Sequence, residues 1–293
     1  MIVPTLRRPD ALRRCVQSIA DADYPADRLE VVVVDDGKLG CGAMEEAVRP
    51  VRPRVEIRLV HTPCVGPAGA RNAGAKQASG EVLAFTDDDS VVHAGWLRTL
   101  CAAMGGRPRK AAGGPTLNGL PDHRWSAASL SILDIVFAYY NADPRHATFL
   151  SANNLAVARE AFEEIGGFNE SYRTAEDRDF CRRWLAAGNE LIYAADARVY
   201  HEDALTMGGF IQQQFGYGRG AFRFLRAAAP EGQLRVVGKF YSSMPRLISA
   251  LGVAGNGAKA RRAALMGELA LWQAANASGF AWEALRSAVR RLV

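Results

Sequence analysis

The chain has 293 residues, of which 49% are apolar and 23% charged, enough for a buried core and ordinary for a globular protein. Its five scattered cysteines (Cys15, Cys41, Cys64, Cys101, Cys181) contain no CxxC pair, and no secretory signal or run of 18 apolar residues is visible. A disulfide scaffold, a zinc cluster and a membrane span are therefore not expected, and a reducing, cytoplasmic setting is. Charge is uneven: from Ile211 onward 12 Lys and Arg face 3 Asp and Glu, a net of +9, on a body of net −4.

In chain order, Met1–Thr5 reads as the end of a strand. Pro9 and Asp10 open a helix whose face carries Leu12, Cys15, Val16 and Ile19 at helical spacing. Glu30–Val34 is a β-branched run that ends in Asp35-Asp36-Gly37, and Val55–Val60 is a third strand candidate. The small-residue segment Gly66–Gly74 contains a single cation, Arg71, and predicts a helix that packs tightly on a sheet. Val82–Phe85 then delivers Asp87, Asp88 and Asp89 to a strand end, followed by a helix over Trp96–Met104. Three adjacent carboxylates resist burial, so a cation or water must accompany them. Four strands with intervening helices imply a doubly wound sheet, whose ligands bind beyond the carboxyl ends of the strands.

Further on, Leu130–Tyr140 reads as a helix at the sheet edge and Phe149–Val157 as a strand holding Asn153 and Asn154. Gly166-Gly167-Phe168 is a turn. A helix opens at Ala175-Glu176-Asp177 and continues through Arg183 and Trp184, read as an ion pair and a core aromatic. The acidic first turn suits the helix dipole as well as it suits chemistry. Leu191–Ala194 and Val199–His201 are short strands, the second ending on a histidine, and a boundary is expected near Asp203.

The segments IVPTLRRPDALRRC, VVVVDDG, GPAGARNAGAKQASGEVLAFTDDD, SANNLAVAREAFEEIGGF, AEDRDFCRRW and VYH, taken in this order, resemble the inverting family 2 glycosyltransferases with the GT-A fold. The resemblance covers residues 1–201 and lacks the QxxRW pattern of processive polymerases. It implies an α/β fold, with a mixed, mostly parallel sheet flanked by helices. It also implies a catalytic domain over 1–202 and a basic, mainly helical C-terminal region over 203–293, and it expects strand residues upstream of Met1.

The resemblance also implies roles. Asp87-x-Asp89 matches the DxD element, with Asp89 as ligand of a divalent cation (Mn2+ or Mg2+), Asp87 and Asp88 near ribose and phosphates, Asp87 also in the implied metal set, and His201 as a further metal or diphosphate contact. Pro4, Thr5, Asp35 and Arg71 match positions that contact the donor nucleotide, expected to be UDP-linked. Asp177 is the expected base, with Glu176 beside it. Asn153 and Asn154 line the sugar pocket in this reading, or cap strands in the plainer one. Hard oxygen ligands suit such a cation, and a carboxylate is an adequate base for an acceptor hydroxyl, whether lipid-linked or saccharide.

Two other readings compete. A sugar-phosphate nucleotidyltransferase would need a Gly-rich signature where Pro4–Pro9 stand, and a degenerate nucleotide- or lipid-binding protein would not need Asp87, Asp89, Asp177 and His201. Nucleic acid is not expected as a partner, because the basic tail shows no recognisable binding module. The tail, with Phe210, Phe215, Tyr217, Phe222 and Phe224, either lies on an anionic bilayer or packs its aromatics as core.

Overall fold

A computed structural model describes residues 1–37, 42–227 and 258–290. Cys41 and tail positions 228–257 lie outside the described residues. The chain folds as two compact units, Met1–Gly119 with Asp143–Asp203 and Leu120–Ala142 with Ala204–Val293.

The first unit begins β1 (Ile2–Thr5), α1 (Pro9–Ala20), β2 (Glu30–Asp35), α2 (Gly42–Val48), β3 (Glu56–His61), α3 (Pro67–Gln77) and β4 (Val82–Phe85). Proline at the first position of α1 lacks only an N–H the helix start would leave unpaired. Its apolar face buries Leu12, Cys15, Val16 and Ile19, as the spacing predicts. Val31–Val34 are fully buried, which suits a central parallel strand covered on both faces.

β5 (Ser90–Val92), α4 (Trp96–Met104), β6 (Lys110–Gly113) and β7 (Thr116–Asn118) follow; α5 (Arg124–Tyr140) belongs to the second unit. The first unit resumes with β8 (Leu155–Ala158), α6 (Arg159–Glu164), α7 (Glu176–Ala186), β9 (Glu190–Tyr193) and β10 (Val199–His201). The seven-stranded sheet runs β3-β2-β1-β4-β8-β6-β9, and a three-stranded sheet runs β5-β10-β7. In the large sheet only β8 is antiparallel to its neighbours, β4 and β6, so the sheet is mixed and mostly parallel, as expected.

Small residues in α3 have a specific cause. A Cβ on Gly74 would lie 2.5 Å from Ile2 Cγ2 and 2.9 Å from Val34 Cγ2, so glycine lets the helix lie directly on β1 and β2. On the sheet's other side of the chain order, Phe85, Phe162, Phe168, Phe180 and Trp184 form a chain of ring contacts with centroids 5.0 to 5.7 Å apart.

Two sequence expectations are corrected here. The strand expected over 149–157 begins only at Leu155, because a turn closes first, Asn154 N–H donating to Ser151 O at 3.0 Å. The helix expected over 130–140 extends back to Arg124 and joins the second unit instead of the sheet edge. An apolar helical pattern says that a face is buried, not against which partner.

The second unit contains α5, α8 (Met207–Ala227) and α9 (Ala258–Val289). Ala128, Ile132, Ile135, Phe210, Leu269 and Trp272 form its core. A Cβ on Gly218 would meet Asn276 O at 1.9 Å, and one on Gly279 would meet Phe215 O at 2.0 Å, so α8 and α9 cross backbone against backbone. Glu283 accepts from Arg219 and Arg223, both at 2.8 Å. Of the tail aromatics, Phe210 is core and Phe222 stacks edge-on against Phe280, whereas Tyr217 is exposed.

Candidate active site

Parallel register sets the strand ends side by side. Thr5 pairs with Asp35 across β1 and β2, and Ile2 pairs with Phe85 across β1 and β4, so β4 leads into Asp87–Asp89 beside them. The small sheet supplies the histidine. β10 pairs antiparallel with β5, placing His201 opposite Ser90, and Glu202 N–H donates to Asp89 O at 2.7 Å. His201 Nε2 thereby stands 3.2 Å from Asp89 Oδ1.

The cation that accompanies Asp88 and Asp89 is Arg8, which sequence reading did not single out. Its Nε donates to Asp88 Oδ2 at 3.2 Å, its Nη2 donates to Asp88 Oδ1, and its Nη1 donates to Asp89 Oδ2 at 2.6 Å. Thr5 Oγ1 donates to Asp88 Oδ2 at 2.6 Å. Burial pushes the Asp88 carboxyl up to about 6 against the pull of Arg8 and Thr5. For Asp89 burial acts upward too, but the close approach and charge of His201, with Arg8, outweigh it and hold the group below the usual carboxylate range. Burial alone would lower His201; the close approach of Asp89 reverses this and raises it.

On the other flank Arg71, only 4% exposed, joins two elements. Its Nη2 donates to Asp87 Oδ1 at 2.6 Å and its Nη1 to Glu176 Oε1 at 2.8 Å, with the guanidinium 5.7 Å from the Phe168 ring centroid. Burial, with the charge of Asp177 adding to it, raises Glu176 to about 7 although Arg71 pulls it down. Asp177 is half-buried; its Oδ1 accepts from Arg178 N–H at 2.8 Å, and burial raises its carboxyl as well. Asp179 is fixed by Arg182 and Arg183, and Arg183 also donates to the carbonyls of Ile165 and Gly167, the structural part expected of it.

The chain resembles known proteins in sequence and in fold. Residues 1–166 match the family described as glycosyl transferase family 2. The chain belongs to glycosyl transferase family 2. It is 26% identical over 221 residues to Glycosyltransferase AglE of Haloferax volcanii, a match covering 75% of this chain and 71% of that protein. It is 30% identical over 229 residues to the Pre-mycofactocin glycosyltransferase of Mycobacterium tuberculosis, covering 75% of this chain but only 46% of that protein, so the chain spans less than half of that relative's length. Among solved structures, the mannosyltransferase PcManGT from Pyrobaculum calidifontis, in complex with GDP-Man and Mn2+, superposes with a TM-score of 0.64 at 21% identity over 99% of this chain and 86% of that one. Crystal structures of TarS from Staphylococcus aureus share the fold too, one with a TM-score of 0.55 at 20% identity over 82% of this chain and 42% of that one. The chain is therefore a glycosyltransferase with the GT-A fold.

Several expected site residues of this family 2 enzyme have defined protein surroundings. Arg71, expected at the nucleotide, has both terminal nitrogens committed to Asp87 and Glu176, and its Nε is buried without a partner. Asn154, expected either in the sugar pocket or as a capping amide, is held by the protein: Oδ1 accepts from Trp96 Nε1 at 2.8 Å, while Nδ2 donates to Pro115 O at 3.0 Å and Ala197 O at 2.7 Å. Asn153 Oδ1 accepts from Thr116 Oγ1 at 3.0 Å. Asp36 anchors the start of α3, accepting from Thr62 Oγ1, Val65 N–H and Gly66 N–H. Asp35 is 2% exposed with His61 Nδ1 3.4 Å away, and its Oδ2 has no hydrogen-bond partner. Pro4 lies in β1 opposite Val34.

Among the described residues no cluster of three or more His, Cys, Asp and Glu side chains stands ready to hold a metal ion, since Arg8 lies across Asp88 and Asp89. The donor atoms of Asp89 and His201 nevertheless fit one. Asp89 Oδ1 is buried without a well-directed hydrogen bond and faces the histidine nitrogen. One carboxylate and one imidazole, completed by substrate phosphates and water, suit magnesium or manganese.

Proposed function

We propose that the chain transfers a sugar, with inversion, from a nucleoside-diphosphate sugar to an acceptor hydroxyl, with a divalent cation on Asp89 and His201. The observation that carries this reading is the bridge of Arg71 between Asp87 on the donor side and Glu176, next to Asp177, on the other. It supports a reading in which Asp87–Asp89 form the donor end and Asp177, beside Glu176, is the base.

When bound, the cation would neutralise charge that develops on the departing diphosphate. The protein's own groups divide the rest. Asp35 Oδ2, which makes no hydrogen bond although His61 Nδ1 lies 3.4 Å away, stands next to Thr5 on the neighbouring strand and is an acceptor suited to an N–H of the nucleotide base. Uracil and guanine both offer one, so this group orients the base without choosing between UDP and GDP. Asp177 takes the acceptor's proton as the sugar moves; burial raises its carboxyl and makes it a stronger base. Glu176 cannot share that role while Arg71 holds it. Asn153 is left to face the sugar or acceptor.

The test is release of nucleoside diphosphate from a panel of UDP- and GDP-sugars, in Mn2+ and in EDTA, with the product's anomeric configuration read by NMR. An inverted product formed only with metal supports the reading; a retained configuration would overturn the inversion.

For the acceptor, we infer a lipid-linked one at an anionic membrane surface. Trp282, Leu285 and Val289 are exposed on α9, and with Arg286 they occupy positions i, i+3, i+4 and i+7 of one helix face, next to exposed Arg290. A face that mixes Trp and Leu with arginines suits an anionic bilayer. No helix among the described residues is long and apolar enough to cross a membrane.

A further inference from the structure

Arg8 holds its carboxylates from a constrained stretch. Arg7 is a non-glycine residue at φ 56°, and Pro9 follows, excluding helical backbone at Arg8, which lies at φ −124°, ψ 64°. Arg7 is exposed to solvent, and Arg8 faces the acidic triplet.

The two partners are unequal. Asp88 is fully buried and saturated by Arg8 and Thr5, so it cannot leave. The Arg8 side chain is 47% exposed and can. Asp89 is shared, with Oδ2 on Arg8 and Oδ1 toward His201. A divalent cation bound to Asp89 would stand on the order of 4–5 Å from the guanidinium, at metal–oxygen distances of ~2.1 Å. Two positive groups that close repel strongly in a half-buried site, unless an anion lies between them. A diphosphate is such an anion, and a planar guanidinium recognises its oxygens in bidentate fashion.

We propose that Arg8 is a resident counter-ion that couples metal binding to donor binding. It occupies Asp89 in the metal-free enzyme, yields it to the cation, and takes up the donor's diphosphate. Metal alone then binds weakly, and a nucleoside diphosphate strengthens it. By linkage, metal strengthens nucleotide binding by the same factor. The inference rests on the metal-dependent donor reading above.

The experiment is titration of Mn2+ into the full chain, followed by calorimetry and by the EPR signal of free Mn2+, without nucleotide and then with saturating UDP or GDP. Wild type is compared with Arg8→Gln. The variant is expected to bind Mn2+ alone at least tenfold more tightly, and to lose most of the gain that nucleotide confers on wild type. Arg8→Lys keeps a charge but loses the fork, so it should tighten Mn2+ binding by a smaller factor; it serves if Arg8→Gln does not fold. Equal Mn2+ affinity in wild type and variant overturns the coupling while leaving the metal reading intact. Absence of Mn2+ binding in both proteins, even with nucleotide, overturns the metal reading and the coupling with it.

Discussion

Arg71 donates to Glu176 Oε1 at 2.8 Å across a sequence separation of 105 residues, and both side chains are buried. This ion pair ties the start of α7 to α3, and through Asp87 to the end of β4. Removing one partner of a buried pair strands the other, which typically costs about 3–5 kcal/mol. Arg71→Ala should therefore destabilise the protein by roughly 3 kcal/mol, measured by denaturant unfolding. Arg71→Lys should recover only part of this, because one ammonium cannot reach both carboxylates in the geometry of the fork. A loss below about 1 kcal/mol would mean the bridge carries little of the fold.

Glu176 also predicts a pH dependence. Burial raises its carboxyl to about 7, from an ordinary value of 4.5. Between those values the folded chain holds a proton that the unfolded chain has released, so stability falls as pH rises through this window and levels off above it. Asp88, raised to about 6, acts in the same sense. Glu176→Gln removes one of the raised carboxyls, so melting temperature should fall less steeply from pH 5 to 7 in the variant than in wild type. Parallel curves would show that Glu176 is ionised throughout.

Asp177→Asn should lower kcat by about 10²–10⁴-fold, the usual worth of a general base, while nucleotide binding stays unchanged. Retained turnover would assign the base elsewhere.

Gly74 sets two effects against each other. Alanine gains up to about 1 kcal/mol of helix propensity. Its methyl carbon would have to sit 2.5 Å from Ile2 Cγ2, in a fully buried contact between α3 and the sheet. Overpacking of that kind costs about 1–3 kcal/mol, so Gly74→Ala should be net destabilising. Thermal unfolding decides it, and a stabilised variant would show that α3 can lift from β1 freely.

The exposed face of α9 predicts salt-sensitive flotation with anionic liposomes. Trp282→Ser combined with Leu285→Ser should abolish it without changing the melting temperature, since both side chains are exposed. Absence of flotation by wild type would remove the membrane surface from the account.

What the sequence made legible follows from which signals are local. The buried face of α1, the β-branched run of β2 and the delivery of Asp87–Asp89 by β4 are short-range patterns, and each stands where the pattern puts it. Asn154 was harder, because its partners are Trp96 and two backbone carbonyls far along the chain, and an amide in sequence does not show its partners. Arg8 stood beside an identical neighbour. Only the left-handed backbone at Arg7 tells which of the two reaches the acids, although three adjacent carboxylates already demanded a cation. In sequence the aromatics of α8 suit a bilayer and a core equally; Phe210 and Phe222 are engaged within the second unit, while Trp282, Leu285 and Val289 of α9 are exposed.

The most direct measurement is calorimetric titration of UDP, and of GDP in parallel, into wild type and Asp89→Ala, in Mn2+ and then in EDTA. The account predicts that one of the two nucleotides binds wild type in Mn2+, and that EDTA and Asp89→Ala each abolish most of that binding. Failure of both nucleotides to bind, or binding indifferent to EDTA and to Asp89, would contradict it.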